Sequence, residues 1–235
     1  GYGGDLACTA ESFRCNWAML PFYRKTLQDF LDEAEDNGLF TETAPYVGIG
    51  GNPVIPKKET GGRAVAPMGW AIGVPVLLDV MIRYDGDLES LKVAYPALVR
   101  FIRIVSERYP HDDLPPCLGD WIAVEKADPG LTCLAHWHEF LSKTAKFAGL
   151  LGRVDDAAAF RAHADRVAAK FRAKYVKSGG LVNSGLQGEQ LFALYNGLLD
   201  KRDVPGAYDI LKRNIASHGD ALTTGIFATQ YLFEY

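Results

Sequence analysis

Residues 88–108 run LESLKVAYPALVRFIRIVSER, and their apolar positions decide the fold class. Leu91, Ala94, Tyr95, Leu98, Phe101, Ile102 and Val105 recur at spacings of 3, 1, 3, 3, 1 and 3. That pattern places them on one stripe of a helix with about 3.6 residues per turn. Phe160, Ala164, Val167, Phe171 and Tyr175 form a second such stripe, and Tyr23, Leu27, Phe30, Leu31 and Ala34 a third. A strand signal is confined to Tyr175–Val182, where Gly179-Gly180 can turn a short hairpin. The chain is expected to be all-α.

Periodicity and breakers give about nine helices, at 5–18, 21–36, 67–84, 88–108, 130–151, 155–177, 187–199, 204–217 and 224–235. Their charge alternates along the chain. The odd-numbered segments carry 10 charged residues in 79 positions, and the even-numbered ones 25 in 74. A helix apolar on all sides is buried, whereas a half-charged one faces water. Strict alternation therefore implies an inner and an outer layer joined as successive helical hairpins. This is the pattern of an (α/α)6 six-hairpin toroid, which closes with about twelve helices, so an incomplete toroid forming a single domain over 1–235 is expected. A solenoid would alternate similarly, but no sequence repeats at a fixed period. The 30-residue gap at Asn37–Ala66, rich in Gly, Pro and Thr, also disfavours an array and is expected to be functional or disordered.

Composition narrows the function. The 235 residues carry a net charge of −4, against a nucleic-acid partner. The longest apolar run, Val74–Ile82, is cut by Asp79 and is far too short for a membrane span. Cys8, Cys15, Cys117 and Cys133 lack C-x-x-C spacing, so neither a zinc site nor a disulfide framework is signalled. His136-Trp137-His138-Glu139 has histidines at i and i+2, which point to opposite sides of a helix and cannot share a metal. No cofactor or metal is expected.

In a two-layer toroid, the segments entering the inner helices share one face. Asp5, Gly69-Trp70, Gly119-Asp120-Trp121, Gln187-Gly188-Glu189-Gln190 and Thr223-Thr224 all fall there. Carboxylates, amides and indole rings on one rim suit a sugar, whose apolar face stacks on Trp and whose hydroxyls bind carboxylates. Each residue also has a plain structural use. Asp5 and Thr223 suit helix N-caps, and a Trp in an apolar segment is commonly core.

These same residues carry a resemblance. Gly1-Tyr2-Gly3-Gly4-Asp5, Thr9-Ala10-Glu11, Phe22-Tyr23-Arg24-Lys25, Gly69-Trp70, Tyr84-Asp85-Gly86-Asp87, Tyr95-Pro96, Gly119-Asp120-Trp121, Leu222-Thr223-Thr224-Gly225-Ile226-Phe227 and Tyr231-Leu232 follow one order across nearly the whole chain. The set resembles bacterial α-L-rhamnosidases of glycoside hydrolase family 78. The resemblance implies the six-hairpin toroid and inverting removal of terminal α-L-rhamnose from a rhamnose-containing glycoside or oligosaccharide. It also implies substrate-side roles for Tyr2, Asp5, Trp70, Asp120 and Trp121.

Inversion needs one carboxylic acid to protonate the leaving oxygen and a carboxylate to activate water. In the family the acid precedes the G-[WY]-x-G-D stretch, which starts here at Gly1, and the base follows the L-T-T-G segment beyond Tyr235. Both are expected outside this chain, which would be inactive in isolation. Two positions depart from the pattern. Ile72 stands where many members carry Asp, and Ala221 where many carry His, with His218 nearby. The alternatives are another α/α-toroid glycosidase or sugar epimerase, and a non-catalytic carbohydrate-binding helical module. In the former, Asp5 and Glu11 would make a poor acid/base pair, lying about 9 Å apart and on opposite sides of one helix.

Overall fold

The computed structural model describes all residues except 36, 52, 61–64 and 235, and all side chains but those and 234. Among the described residues the elements are α1 (Gly3–Asn16), α2 (Leu20–Ala34), α3 (Met68–Ala71), α4 (Gly73–Asp85), α5 (Leu88–Arg108), α6 (Pro129–Leu150), α7 (Val154–Tyr175), α8 (Gln187–Tyr195), α9 (Val204–Ser217) and α10 (Ile226–Glu234). The strand signal survives as a single antiparallel bridge, Val176 to Val182, across a 3-10 turn at Ser178–Gly180.

The two layers are present. The inner helices touch in succession, α1 to α4, α4 to α6, α6 to α8 and α8 to α10, and α10 returns to α1. Helices α2, α5, α7 and α9 lie outside them, each packed on an inner neighbour. Burial follows the charge alternation: α6 buries 14 of its 22 residues, and its outer partner α7 buries five of 22. Asp128 and Asp87 start α6 and α5 by accepting the backbone N–H groups of Leu131 and Ser90. No described helix is long and apolar enough to cross a membrane.

Three features depart from expectation. First, the helix expected over 67–84 is divided at Ile72, which ends α3 and starts α4. Pro75 has no N–H to give to Ala71, and Gly73 permits a contact that no other residue could make. A Cβ at Gly73 would overlap the carbonyl of Gly3, and one at Gly3 would overlap the carbonyl of Trp70. Second, α1 begins at Gly3, so Asp5 lies within its first turn, where a carboxylate favours the helix dipole. Third, the segment after α2 is packed rather than loose. Leu39, Phe40, Ala44, Val54, Ile55, Val65 and Ala66 are buried. Phe40 stacks on Phe101 at 5.2 Å, which stacks on Phe140 at 4.8 Å. A bridge from Thr43 to Tyr2 ties this segment to the start of α1, and one from Thr41 to Val65 closes the segment on itself. Residues 52 and 61–64 of that gap lie outside the described residues.

Six charged side chains of α1, α4 and α6 meet in one network. Arg83 of α4 clamps the Glu11 carboxylate of α1 with two N–H groups, at 2.8 and 3.0 Å, and reaches Asp79 at 3.1 Å. Asp79 also accepts from Lys146 of α6 at 2.5 Å, and Lys143 stands between Asp79 and Glu139 at 3.6 and 3.5 Å. Tyr231 of α10 donates to Glu139 at 3.1 Å. Glu11, Asp79, Arg83, Glu139, Lys143 and Tyr231 line a partly open cavity of about 10 Å³, room for one water. Burial by itself would raise the Asp79 and Glu139 carboxyls. For Asp79 the ammonium groups of Lys143 and Lys146 and the Arg83 guanidinium outweigh it. For Glu139 the His136 ring, Lys143 and the Tyr231 hydroxyl do so, and both carboxyls lie below their ordinary values.

Two outcomes follow for stability. Gly73→Ala has backbone on the opposing side and cannot be accommodated by a rotamer change, so thermal unfolding should show a loss of about 1–3 kcal/mol. Lys143→Met leaves Asp79 and Glu139 short of positive charge, and chemical denaturation at pH 7 should register a loss on the order of 2–3 kcal/mol. Depressed carboxyls stabilise the fold above their unfolded values near pH 4, and that contribution fades as pH falls. The stability of Lys143→Met should therefore decline less between pH 6 and pH 3 than that of the parent. Parallel acid limbs for the two proteins would count against this network.

Candidate functional site

The N-terminal ends of the inner helices converge, and glycines set how closely. Gly3 and Gly4 lie directly against Trp70; a Cβ at Gly4 would stand 2.7 Å from its ring. The Trp70 indole is buried. It makes edge contacts with Trp121 at 5.8 Å and Phe227 at 5.7 Å. Trp121 itself is 44% exposed and Tyr2 38%. Asp5 is exposed. The aromatic corner thus has two covered members, Trp70 and Phe227, and one open one, Trp121, with the exposed Tyr2 just before the Gly3–Gly4 contact.

Asp120 is buried, and its carboxylate accepts the backbone N–H groups of Gly225 at 2.6 Å, Phe227 at 3.1 Å and Ala228 at 3.2 Å. These are the free donors at the start of α10, so Asp120 caps a helix more than 100 residues away in sequence. Burial raises its carboxyl, against the opposing pull of those three N–H groups. The Trp121 carbonyl accepts from Ile226 at 2.9 Å. The contact needs Gly225, where a Cβ would overlap the Trp121 carbonyl and stand 2.6 Å from the Asp120 carbonyl. Gly119-Asp120-Trp121 and Thr224-Gly225-Ile226 are therefore one locked unit.

The α8 entrance is committed to wiring. Gln187 accepts from the Thr223 backbone at 3.0 Å and donates to the Ala221 carbonyl at 3.1 Å. Glu189 takes the Ser184 and Leu186 N–H groups, the Ser184 hydroxyl and the Asn183 amide. Gln190 accepts from the Val182 N–H. Glu11, weighed above as a partner for Asp5, is held by Arg83, and that bond keeps its carboxyl below the ordinary value in spite of some burial. A general acid needs the opposite shift. Asp5 makes no side-chain hydrogen bond or ion pair among the described residues.

Three buried polar atoms at this end have no hydrogen-bond partner among the described residues: Trp70 Nε1, His136 Nε2 and Thr223 Oγ1. Such groups are rare in folded proteins and call for an explanation. His136 faces inward between Phe192 and Phe227, at 5.1 and 4.7 Å. The helix around it is continuous, and Trp137 points elsewhere, donating to Asp112 at 2.8 Å. His138 lies on the other side and is pushed down to about 4 by burial. No cluster suited to a metal exists among the described residues.

The two departures from the family pattern are also placed. Ile72 is buried at the α3–α4 junction, lining the cavity of the charged network. His218 ends α9 and brings Nε2 to 3.6 Å from Glu125, just after Trp121. The sequence did not single out Glu125, His136 as an inward-facing ring, or the cap made by Asp120. The first two had no local signal. The third was hinted at by Gly225 following two threonines, a composition common where backbone comes close.

A rim with an open indole, an open phenol ring, an exposed carboxylate and buried polar atoms behind them can bind a polyhydroxylated ring. The bacterial alpha-L-rhamnosidase 6 hairpin glycosidase domain matches residues 1–235. The chain is 28% identical over 236 residues to an alpha-L-rhamnosidase of Streptomyces avermitilis, covering 99% of this chain and 21% of that protein. Its structure is similar to that of a Streptomyces avermitilis alpha-L-rhamnosidase complexed with L-rhamnose, with a TM-score of 0.82, 24% identity, and 96% of this chain and 21% of that one covered. It is also similar to the alpha-L-rhamnosidase from Dictyoglumus thermophilum, with a TM-score of 0.84, 23% identity, and 100% and 26% covered. The chain spans about a fifth to a quarter of the length of these relatives. The arrangement of hairpins is that of the six-hairpin toroid, and the chain belongs to the bacterial alpha-L-rhamnosidase six-hairpin glycosidase domain family.

Proposed function

We propose that residues 1–235 supply the sugar-binding rim of a glycoside hydrolase that removes terminal α-L-rhamnose from glycosides with inversion. The observation that carries this reading is the Trp70–Trp121–Phe227 corner, fixed to α10 through Asp120 and flanked by Tyr2 and Asp5. Family membership and the rhamnose complex of a relative support the choice of sugar. In this reading Tyr2, Asp5 and Trp121 face the sugar. Trp70 and Asp120 act from behind, holding the open ring and the start of α10 in place. The proton transfers of an inverting reaction need an acid and a base on either side of the scissile bond. Asp120, Glu189 and Glu11 are saturated by other partners and are not assigned to them.

That saturation favours a second reading, a carbohydrate-binding unit without catalysis. The two separate in one assay. On 4-nitrophenyl α-L-rhamnoside the full natural polypeptide carrying this chain should turn over with inverted anomer as first product, seen by NMR. Residues 1–235 alone should bind L-rhamnose by calorimetry without turnover. Hydrolysis by residues 1–235 alone would refute the division of labour, and an inactive full polypeptide that still binds rhamnose would establish the second reading.

Substitutions test the roles of single residues. Trp121→Ala should raise KM about 3–10-fold, the weight of one stacking contact, with the melting temperature near that of the parent. Asp120→Asn turns an amide N–H toward the donors of α10 and should cost about 1–3 kcal/mol of stability. A change confined to KM at unaltered stability would make Asp120 a sugar contact instead.

A further inference from the structure

Beside the rim lies a pair of side chains that the sugar site does not use. Cys117 stands three residues before Asp120, and Cys133 lies near the start of α6. Their spacing signals nothing, yet the fold brings them together. Both are buried and free. The Cys117 N–H donates to the Pro129 carbonyl at 3.3 Å, which lays residue 117 on the first turn of α6. Its sulfur is 3.3 Å from the Thr132 hydroxyl and within hydrogen-bond reach of the Cys133 thiol. The two thiols are unequal. The Cys133 S–H and the Gly119 N–H both serve the Cys117 sulfur and hold its thiol below the ordinary range in spite of burial. That same bond, together with burial, pushes Cys133 well above its ordinary range, so it keeps its proton. A sulfur poised as thiolate beside a protonated one is the pairing that thiol–disulfide exchange uses.

We propose that Cys117 and Cys133 form a disulfide that fastens the segment carrying Asp120 and Trp121 to α6. The oxidant is a low-molecular-weight disulfide of the glutathione class. The Cys117 thiolate attacks one of its sulfurs, forming a mixed disulfide and expelling one external thiolate, which takes up the Cys133 proton. The Cys133 thiolate then attacks the Cys117 sulfur, forming the S–S bond and expelling the second external thiol. Two protein thiols are oxidised, and one external disulfide is reduced to two thiols. The oxidant reaches the buried pair when residues 109–128 open, a stretch that contains no helix. The new bond closes a loop around residues 118–132, which include the whole Gly119-Asp120-Trp121 unit. Cross-linking removes freedom from the open state of that loop and so keeps the unit closed. The inference uses no property of the sugar and is independent of the proposed function.

The test equilibrates the full natural polypeptide with mixtures of glutathione and glutathione disulfide, alkylates free thiols in denaturant and maps the peptides by mass spectrometry. In the oxidising mixtures a peptide pair joined through Cys117 and Cys133 should predominate, and dithiothreitol should remove it. Cys8 and Cys15 should not enter the cross-link. Amide hydrogen exchange over 118–128 should slow about tenfold in the cross-linked form. Cys133→Ala should abolish the cross-link and the slowing together. The parent's peptide map decides the question even if that variant fails to fold. Cys117 and Cys133 both alkylated in every mixture, including after refolding in the oxidising ones, would overturn the inference. So would cross-links to Cys8 or Cys15, or a 117–133 cross-link that leaves exchange over 118–128 unchanged.

Discussion

The first turn of α1 lies against the junction between α3 and α4 with no side chain between them. Gly3 and Gly73 meet backbone to backbone, and Gly4 meets the face of Trp70. Everything at the rim is referred to this contact. It sets how far Trp70 projects, and Trp70 in turn supports Trp121 and Phe227. Ile72 keeps helical dihedrals and the N–H bonds Ile72 to Met68 and Val76 to Ile72, so α4 carries on from α3. It is the missing side chains at Gly73 and Gly3 that let the two backbones meet.

The charged network solves a different problem. Where α1, α4 and α6 meet, the facing side chains are charged rather than aliphatic. Glu11, Asp79, Arg83, Glu139, Lys143 and Lys146 come from three helices and neutralise one another. Such a network contributes less to stability than an apolar core of equal volume, because its inner members Asp79, Glu139 and Lys143 are taken out of water. It contributes register: each helix can rotate or slide only by abandoning a partner that then stays buried. The rim and the network are thus two ends of one arrangement, with glycines fixing approach above and ion pairs fixing rotation below.

The amino-acid sequence contains the layer order almost entirely. The alternation of charge places α6 inside and α7 outside, and α5 has the boundaries its stripe implies. What the sequence concealed is what depends on distant partners. The segment after α2 looks like a loop because it lacks any period, yet Phe40 is core, since its neighbours Phe101 and Phe140 come from two later helices. Asp79 appeared only as an interruption of an apolar run, and its three cationic partners lie on its own helix and on α6. At the rim, the types of residue were legible and their orientation was not. Trp70 and Trp121 have the same composition signal, but Trp70 is covered by Gly4, Phe227 and the edge of Trp121, while Trp121 is open.

Asp120 shows why residue type alone misleads at such a rim. A buried Asp beside Trp has the chemistry of a sugar ligand, yet its oxygens are occupied by the first N–H groups of α10. Without that cap, α10 would begin with unpaired donors facing the one end of the toroid where burial denies them water. The same bond fixes the Trp121 carbonyl on Ile226 and so the orientation of the open indole. In the proposed reading, Asp120 would act on the sugar through the position of the aromatic wall rather than by contact. The separation of the rim into open groups and groups that hold them follows from crowding. Backbone this close leaves few side chains free, and those left free, Tyr2, Asp5 and Trp121, are the ones with an open face.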